Sequence, residues 1–232
     1  MGILGGTFDP IHRGHADLGR AVEATVGLTE LIVLPTRVPP HRPPPVASGF
    51  HRFAMASLAV LDSPGWRVSD LELARPVPSF TSATLASFRA SGYRPSELFF
   101  IVGADAFAEI DTWNGYPAIL DAAHFAVVSR PGHPVTDLAR RLPALAGRMA
   151  FAPPGTAIDE APRITLIDAA TADVSSTAIR ARCAAGQAID DLVLPAVGQH
   201  IARHGLYSPA QVTDDGVDPH HEHAAGRLHG QG

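Results

Sequence analysis

The stretch Gly5-Gly6-Thr7-Phe8-Asp9-Pro10-Ile11-His12-Arg13-Gly14-His15 does most to limit what this chain can fold into. It follows a short apolar run, Gly2-Ile3-Leu4, and precedes Leu18, Ala21, Val22 and Thr25, which recur at helical spacing. That order reads as the first strand-to-helix turn of an open α/β sheet. Two glycines let a backbone approach a ligand closely. The two histidines, three residues apart, enter the helix on neighbouring positions. A helix start offers unpaired N–H groups and the positive end of a dipole, so it suits phosphate. The stretch lacks the Gly-Lys-Ser/Thr of a Walker loop, and its third glycine is misplaced for a dinucleotide fingerprint.

The remaining pattern alternates strands and helices. Leu31–Leu34, Leu98–Val102, Phe125–Val128 and Ile164–Ile167 are short apolar runs of the kind buried on both faces of a parallel sheet. Val68, Asp70 and Glu72 alternate with Ser69, Leu71 and Leu73, which predicts an exposed strand. Phe50, Phe53, Ala54, Ser57, Leu58 and Leu61 mark an amphipathic helix, and further helices are expected over 81–90, 175–185 and 195–204. The expectation is one α/β domain over residues 1–207 with a doubly wound, mostly parallel sheet. From Ser208 apolar periodicity is lost, so 208–232 reads as a disordered tail containing His220, His221 and His223.

Composition excludes several classes. Eighteen basic against 23 acidic residues give a net charge of −5, which argues against a nucleic-acid surface driven by bulk charge. The single cysteine, Cys183, rules out an intrachain disulfide framework. No apolar run approaches the roughly 20 residues that span a bilayer. With no secretory signal pattern at the start, a cytoplasmic location is the expectation.

A second candidate phosphate motif lies far from the first, at Val174-Ser175-Ser176-Thr177-Ala178-Ile179-Arg180. One hydroxyl would suffice as a helix cap. Three can line an anion site, and Arg180 falls one turn after Ser176 with a planar fork suited to phosphate.

Together the motifs resemble the nicotinate-nucleotide adenylyltransferase family, over nearly the whole chain from Gly2 to Tyr207. Between them Pro39-Pro40-His41, Pro78-Ser79-Phe80-Thr81, Gly103-Ala104-Asp105, Thr112-Trp113 and Ser129-Arg130-Pro131-Gly132 look like family landmarks in family order. The resemblance implies a Rossmann-like nucleotidylyltransferase fold. It also implies attack by the phosphate of nicotinate mononucleotide on the α-phosphorus of ATP, giving pyrophosphate and nicotinate adenine dinucleotide on the way to NAD. Such a displacement needs positioning and charge stabilisation rather than a protein nucleophile.

On the same resemblance His12, His15 and Arg180 are the catalytic candidates. Gly5, Gly6, Thr7, Ser175, Ser176 and Thr177 are candidates for ATP and its phosphates. Gly103, Asp105 and Arg130 would border the dinucleotide, and Thr81, Trp113 and Arg42 would seat nicotinate mononucleotide. Read from the residues alone, Trp113 fits a core aromatic and Thr81 a helix cap just as well. Mg²⁺ is expected as ATP's companion, without a protein ligand. The partners expected are ATP and nicotinate mononucleotide, with neither nucleic acid nor membrane; a homo-oligomer stays open. Phe80 stands where the family usually has Tyr, Arg42 where Lys is frequent, and Ala178 where Glu or Asp is common. The alternatives are an adenylyltransferase for nicotinamide mononucleotide or phosphopantetheine, or a nucleotide sensor without catalysis.

Overall fold

Alternate residues of each strand fill opposite faces of one sheet, so both faces need a helical cover. Leu4, Val33, Ile101 and Ala126 join one buried cluster. Their strand neighbours Ile3, Ile32, Phe100 and Phe125 join the other. The computed structural model describes residues 1–38, 43–75, 77–156 and 160–209. Its strands are β1 (Gly2–Gly6), β2 (Leu31–Pro35), β3 (Trp66–Val68), β4 (Phe99–Gly103), β5 (His124–Val128), β6 (Met149–Phe151) and β7 (Ile164–Ile167). They lie in the order β3-β2-β1-β4-β5-β7-β6, and every neighbouring pair is parallel.

The helices are α1 (Arg13–Val26), α2 (Gly49–Val60), α3 (Thr81–Ala90), α4 (Ala104–Phe107), α5 (Leu138–Arg141), α6 (Ser176–Ala184) and α7 (Pro195–Arg203). Helix α1 stops where Gly27 takes a left-handed conformation (φ 65°) and its N–H bonds the Glu23 carbonyl. Leu85 and Phe88 of α3 sit in one cluster; Leu18 and Val22 of α1 and Val197 and Ile201 of α7 sit in the other. No helix among the described residues is long and apolar enough to cross a membrane.

The strand order reverses between β1 and β4, where open α/β sheets hold ligands. Pairing of β1 with β4 ends at Leu4 and Ile101, whereas β1 follows β2 as far as Gly6. A crevice therefore opens beside Gly5 and Gly6 at the carboxyl ends of the strands.

Two sequence expectations need correction. The strand predicted around 68–72 ends at Val68; residues 70–75 form a turn in which the Ala74 N–H bonds the Asp70 carbonyl. Helix α2 exists, but its inward face is not the one the apolar residues marked. Phe50 is 91% and Leu61 73% exposed, while Arg52, Met55, Ala56, Ala59 and Val60 are buried. Arg52 explains the rotation. Its guanidinium donates to the carbonyls of Thr7 (2.7 Å), Thr36 (2.6 Å), Ala47 (3.2 Å) and Arg37 (3.3 Å). Four carbonyl partners satisfy a cation that would otherwise be too costly to bury. Residues 210–232 and Arg42 lie outside the described residues, and with them nearly all of the proposed tail.

Candidate active site

The turn after β1 is held in a fixed shape. Phe8 adopts a left-handed conformation (φ 50°) that a bulky residue keeps only when its surroundings dictate it. Its buried ring meets His15 edge-on, with centroids 4.9 Å apart. His12 then caps α1, and its ring stacks on that of His15 at 3.7 Å. The His12 backbone N–H donates to His15 Nδ1 at 3.2 Å. A neutral His15 therefore carries its hydrogen on Nε2, as a donor facing away from that bond.

Electrostatics keep both rings neutral. Burial, followed by the Arg130 charge, pushes His12 down to about 3. Burial, then His12, then Arg130, holds His15 well below its ordinary value. Two unpartnered buried polar atoms mark the same place, His12 Nδ1 and Arg130 Nη1. Both lie against Gly14: a Cβ there would fall 3.3 Å from the first and 2.7 Å from the second. Arg130 is fixed by a bond from Nη2 to the Val174 carbonyl at 3.2 Å and by packing over Gly103. A cation, two imidazoles and a helix start converging on one spot are suited to stabilising a phosphoryl group as its charge develops.

Two cavities meet at this spot. One of about 300 Å³ is lined by Gly5, Gly6, Thr7, His15, Glu72, Thr81 and Trp113. Gly103, Asp105, Arg130 and Ser176 also border it. A second, of about 330 Å³, is lined by His133, Asp173, Ser175 and Arg182. Asp105 and Arg130 belong to both walls, so the cavities adjoin there.

A family model described as cytidylyltransferase-like matches residues 3–182. The nicotinate-nucleotide adenylyltransferase of Salmonella typhimurium is 36% identical over 206 residues, covering 88% of this chain and 97% of that protein. A Cronobacter sakazakii protein named probable nicotinate-nucleotide adenylyltransferase is 43% identical over 209 residues, covering 89% of this chain and 94% of its own length. This chain belongs to the nicotinate-nucleotide adenylyltransferase family. The fold agrees: the nicotinic acid mononucleotide adenylyltransferase of Plasmodium falciparum, in a complex with NaAD, superposes with a TM-score of 0.67 at 18% identity, over 89% of this chain and 96% of that one.

In this family member most residues singled out from sequence come together. Gly5, Gly6, Thr7, His15, Thr81, Gly103, Asp105, Trp113, Arg130 and Ser176 share the first cavity, Ser175 lines the second, and His12 lies beneath their junction. Thr81 is the first residue of α3, with Phe80 in the capping position. Trp113 is half-buried and meets Phe100 edge-on, so part of its indole stays open to the cavity.

The second motif is committed more heavily to the protein than its sequence implied. The Ser175 hydroxyl accepts from the Ala178 N–H as an ordinary cap, and Ser176 donates to the Pro10 carbonyl at 2.9 Å. The Thr177 hydroxyl accepts from Arg180 at 3.3 Å. Arg180 itself donates to the Asp9 carbonyl at 2.7 Å, and neither it nor Thr177 lines either cavity.

Asp9 is not among the site residues singled out from the sequence. Its carboxylate accepts from the Val46 N–H (2.8 Å), the Ala47 N–H (3.0 Å) and the Tyr207 hydroxyl (2.8 Å). It also faces Arg180 at 3.7 Å. One carboxylate thus ties the glycine turn to the loop before α2, to α6 and to the segment after α7. The only sequence signal was an acidic residue inside the motif, which says nothing of partners 198 positions away.

Proposed function

We propose that this chain transfers the adenylyl group of ATP to nicotinate mononucleotide, forming nicotinate adenine dinucleotide and pyrophosphate for NAD synthesis. Family membership supports this, and one observation carries it above all. Two mononucleotide-scale cavities adjoin at Asp105 and Arg130, with the histidine pair at the junction. A dinucleotide synthase needs one seat for each half and a charge-stabilising group between them.

The adenosine half takes the cavity bordered by Ser175 and Arg182; the pyridine ring takes the end bordered by Thr81 and Trp113. Arg42, outside the described residues, is proposed to reach nicotinate mononucleotide. At the junction a phosphate oxygen of the acceptor attacks the α-phosphorus in line. The bond from that phosphorus to the bridging oxygen breaks, and pyrophosphate carries the charge away. His15 Nε2–H, His12 and Arg130 stabilise the equatorial oxygens. Ser176 and the α6 start take the departing phosphates, with Arg180 turning from Asp9 to join them when ATP is bound. No group of three or more His, Cys, Asp or Glu among the described residues is placed to hold a metal ion. Mg²⁺ is proposed to travel on the ATP phosphates, supplying charge neutralisation, with no protein ligand assigned.

The test is pyrophosphate release from ATP and Mg²⁺ with nicotinate mononucleotide, nicotinamide mononucleotide or phosphopantetheine offered singly. Fast release with the first alone is expected. Preference for another acceptor overturns the pyridine end of the site, and ATP binding without release under any condition favours a sensor.

A further inference from the structure

Thr81 and Trp113, the two residues proposed to flank the pyridine ring, are each followed in the chain by a residue that bonds across to the other side. Ser82 follows Thr81 at the start of α3, and Asn114 follows Trp113 in the turn after the 3₁₀ segment Ile110–Thr112. The Ser82 hydroxyl donates to Asn114 Oδ1 at 2.7 Å. Gly115 takes a left-handed conformation (φ 86°), and a Cβ on it would fall 3.1 Å from that of Ser82, so the glycine lets this turn close against α3. Ser82 is half-buried, Asn114 is exposed, and neither lines the first or the second cavity. The pair therefore joins the two walls from outside the cavity.

Each wall is otherwise fixed to the core on its own. On the α3 side the Thr84 hydroxyl bonds Glu72, and Leu85 is fully buried. On the other side the Trp113 N–H donates to the carbonyl of buried Ile110 at 3.1 Å, and the indole meets Phe100 edge-on with centroids 6.0 Å apart. These anchors set where each wall stands. The Ser82–Asn114 bond ties one wall to the other and so sets the gap between them.

We propose that Ser82 and Asn114 are positioning residues that hold Thr81 and Trp113 at the spacing needed by the pyridine ring of the acceptor mononucleotide. This rests on the reading that places that ring between Thr81 and Trp113. A flat ring is held by contact on its faces, and a gap of about 1 Å forfeits up to about half of that attraction. A bond that fixes the turn before the ligand arrives also removes the cost of ordering it on binding. In the proposed binding mode neither side chain touches substrate or the reacting phosphate, so the pair acts on mononucleotide binding and not on the transfer step. The adenosine half has its own seat in the second cavity, whose walls include neither residue, so ATP binding serves as an internal control.

The experiment is a double-mutant cycle read by steady-state pyrophosphate release, with Ser82→Ala, Asn114→Ala and the two combined. Losing one neutral hydrogen bond should raise KM for nicotinate mononucleotide about two- to tenfold in each single variant. kcat, KM for ATP and Tm should stay near their wild-type values, the pattern of lost ground-state binding. The double variant should be no worse than either single one, because the bond is already gone. Ser82→Thr, which keeps the hydroxyl, should keep the wild-type KM. An unchanged KM for the mononucleotide in the single variants overturns the proposal. So do effects that multiply in the double variant, since the two side chains then act independently. A rise in both KM values together with a fall in Tm overturns it as well, being the signature of a bond that only stabilises the fold. Absence of release by the wild type with every acceptor would overturn the function reading itself, and this inference with it.

Discussion

Replacing Gly14 by alanine separates catalysis from stability. The added Cβ falls 2.7 Å from Arg130 Nη1, about 0.7 Å short of an ordinary 3.4 Å contact, and 3.1 Å from the Ala172 carbonyl oxygen. The backbone oxygen gives little, so the guanidinium must retreat. On its other side Arg130 already packs over Gly103, so closely that a Cβ on that glycine would meet its Cγ at 3.0 Å. Its bond to the Val174 carbonyl breaks or lengthens, and the cation leaves the position from which it is proposed to meet the phosphate. A displacement near 1 Å at a reacting centre costs on the order of 10²-fold in rate. Stability runs the other way, because alanine favours a helix over glycine by up to about 1 kcal/mol. The assay is steady-state pyrophosphate release beside thermal unfolding. We expect kcat to fall about 10- to 100-fold while Tm changes by only a few degrees. Wild-type kcat would refute the claim that Arg130 must sit against Gly14.

Three further perturbations probe the same framework. His15→Ala should lower kcat by on the order of 10²-fold or more with the fold intact, because it deletes the donor proposed to stabilise the transferred phosphoryl group; unchanged turnover in a folded variant would remove His15 from the mechanism. Tyr207→Phe removes one buried hydroxyl from a carboxylate that keeps two backbone donors. It should cost about 1.5 kcal/mol and roughly 3–6 °C in Tm, and an unchanged melting curve would mean that the Asp9 hub does not anchor the segment after α7. His12 titrates lower folded than unfolded, so the unfolded chain takes up more protons once pH falls below about 6.5. Its contribution is therefore intact above that pH and turns unfavourable on acidification. Ligand-free Tm should drop between about pH 7 and 5 more steeply in the wild type than in His12→Gln, and parallel profiles would contradict a neutral buried His12.

Local patterns carried the architecture well. The buried strands announce themselves as four- or five-residue apolar runs, and the helices by their spacing, because both signals are contained within the element. Failure came where a distant partner changes what a residue is. The apolar residues of α2 predicted an inward face with Phe50 and Leu61 on it, but four carbonyls from three separate segments surround Arg52, and its burial turns Phe50 and Leu61 outward. Asp9 reads as a turn residue until Tyr207, at the far end of the fold, closes on it. Glu72 belongs to an alternation that predicts an exposed strand, and only its seat beneath α3 makes it a buried acid in a ligand cavity. The same limit applies to Arg180. Spacing placed it on the face of Ser176, but the side chain is drawn to the Asp9 carbonyl.

Transfer at the junction of the two cavities requires the product to lie across it. A crystal structure with nicotinate adenine dinucleotide bound would test this most directly. The prediction is a pyrophosphate bridge between His15 and Arg130, the pyridine ring between Thr81 and Trp113, and the adenine in the cavity bordered by Ser175 and Arg182. A dinucleotide bound with its bridge away from the histidine pair, or with both halves on one side of Arg130, would contradict transfer at that junction.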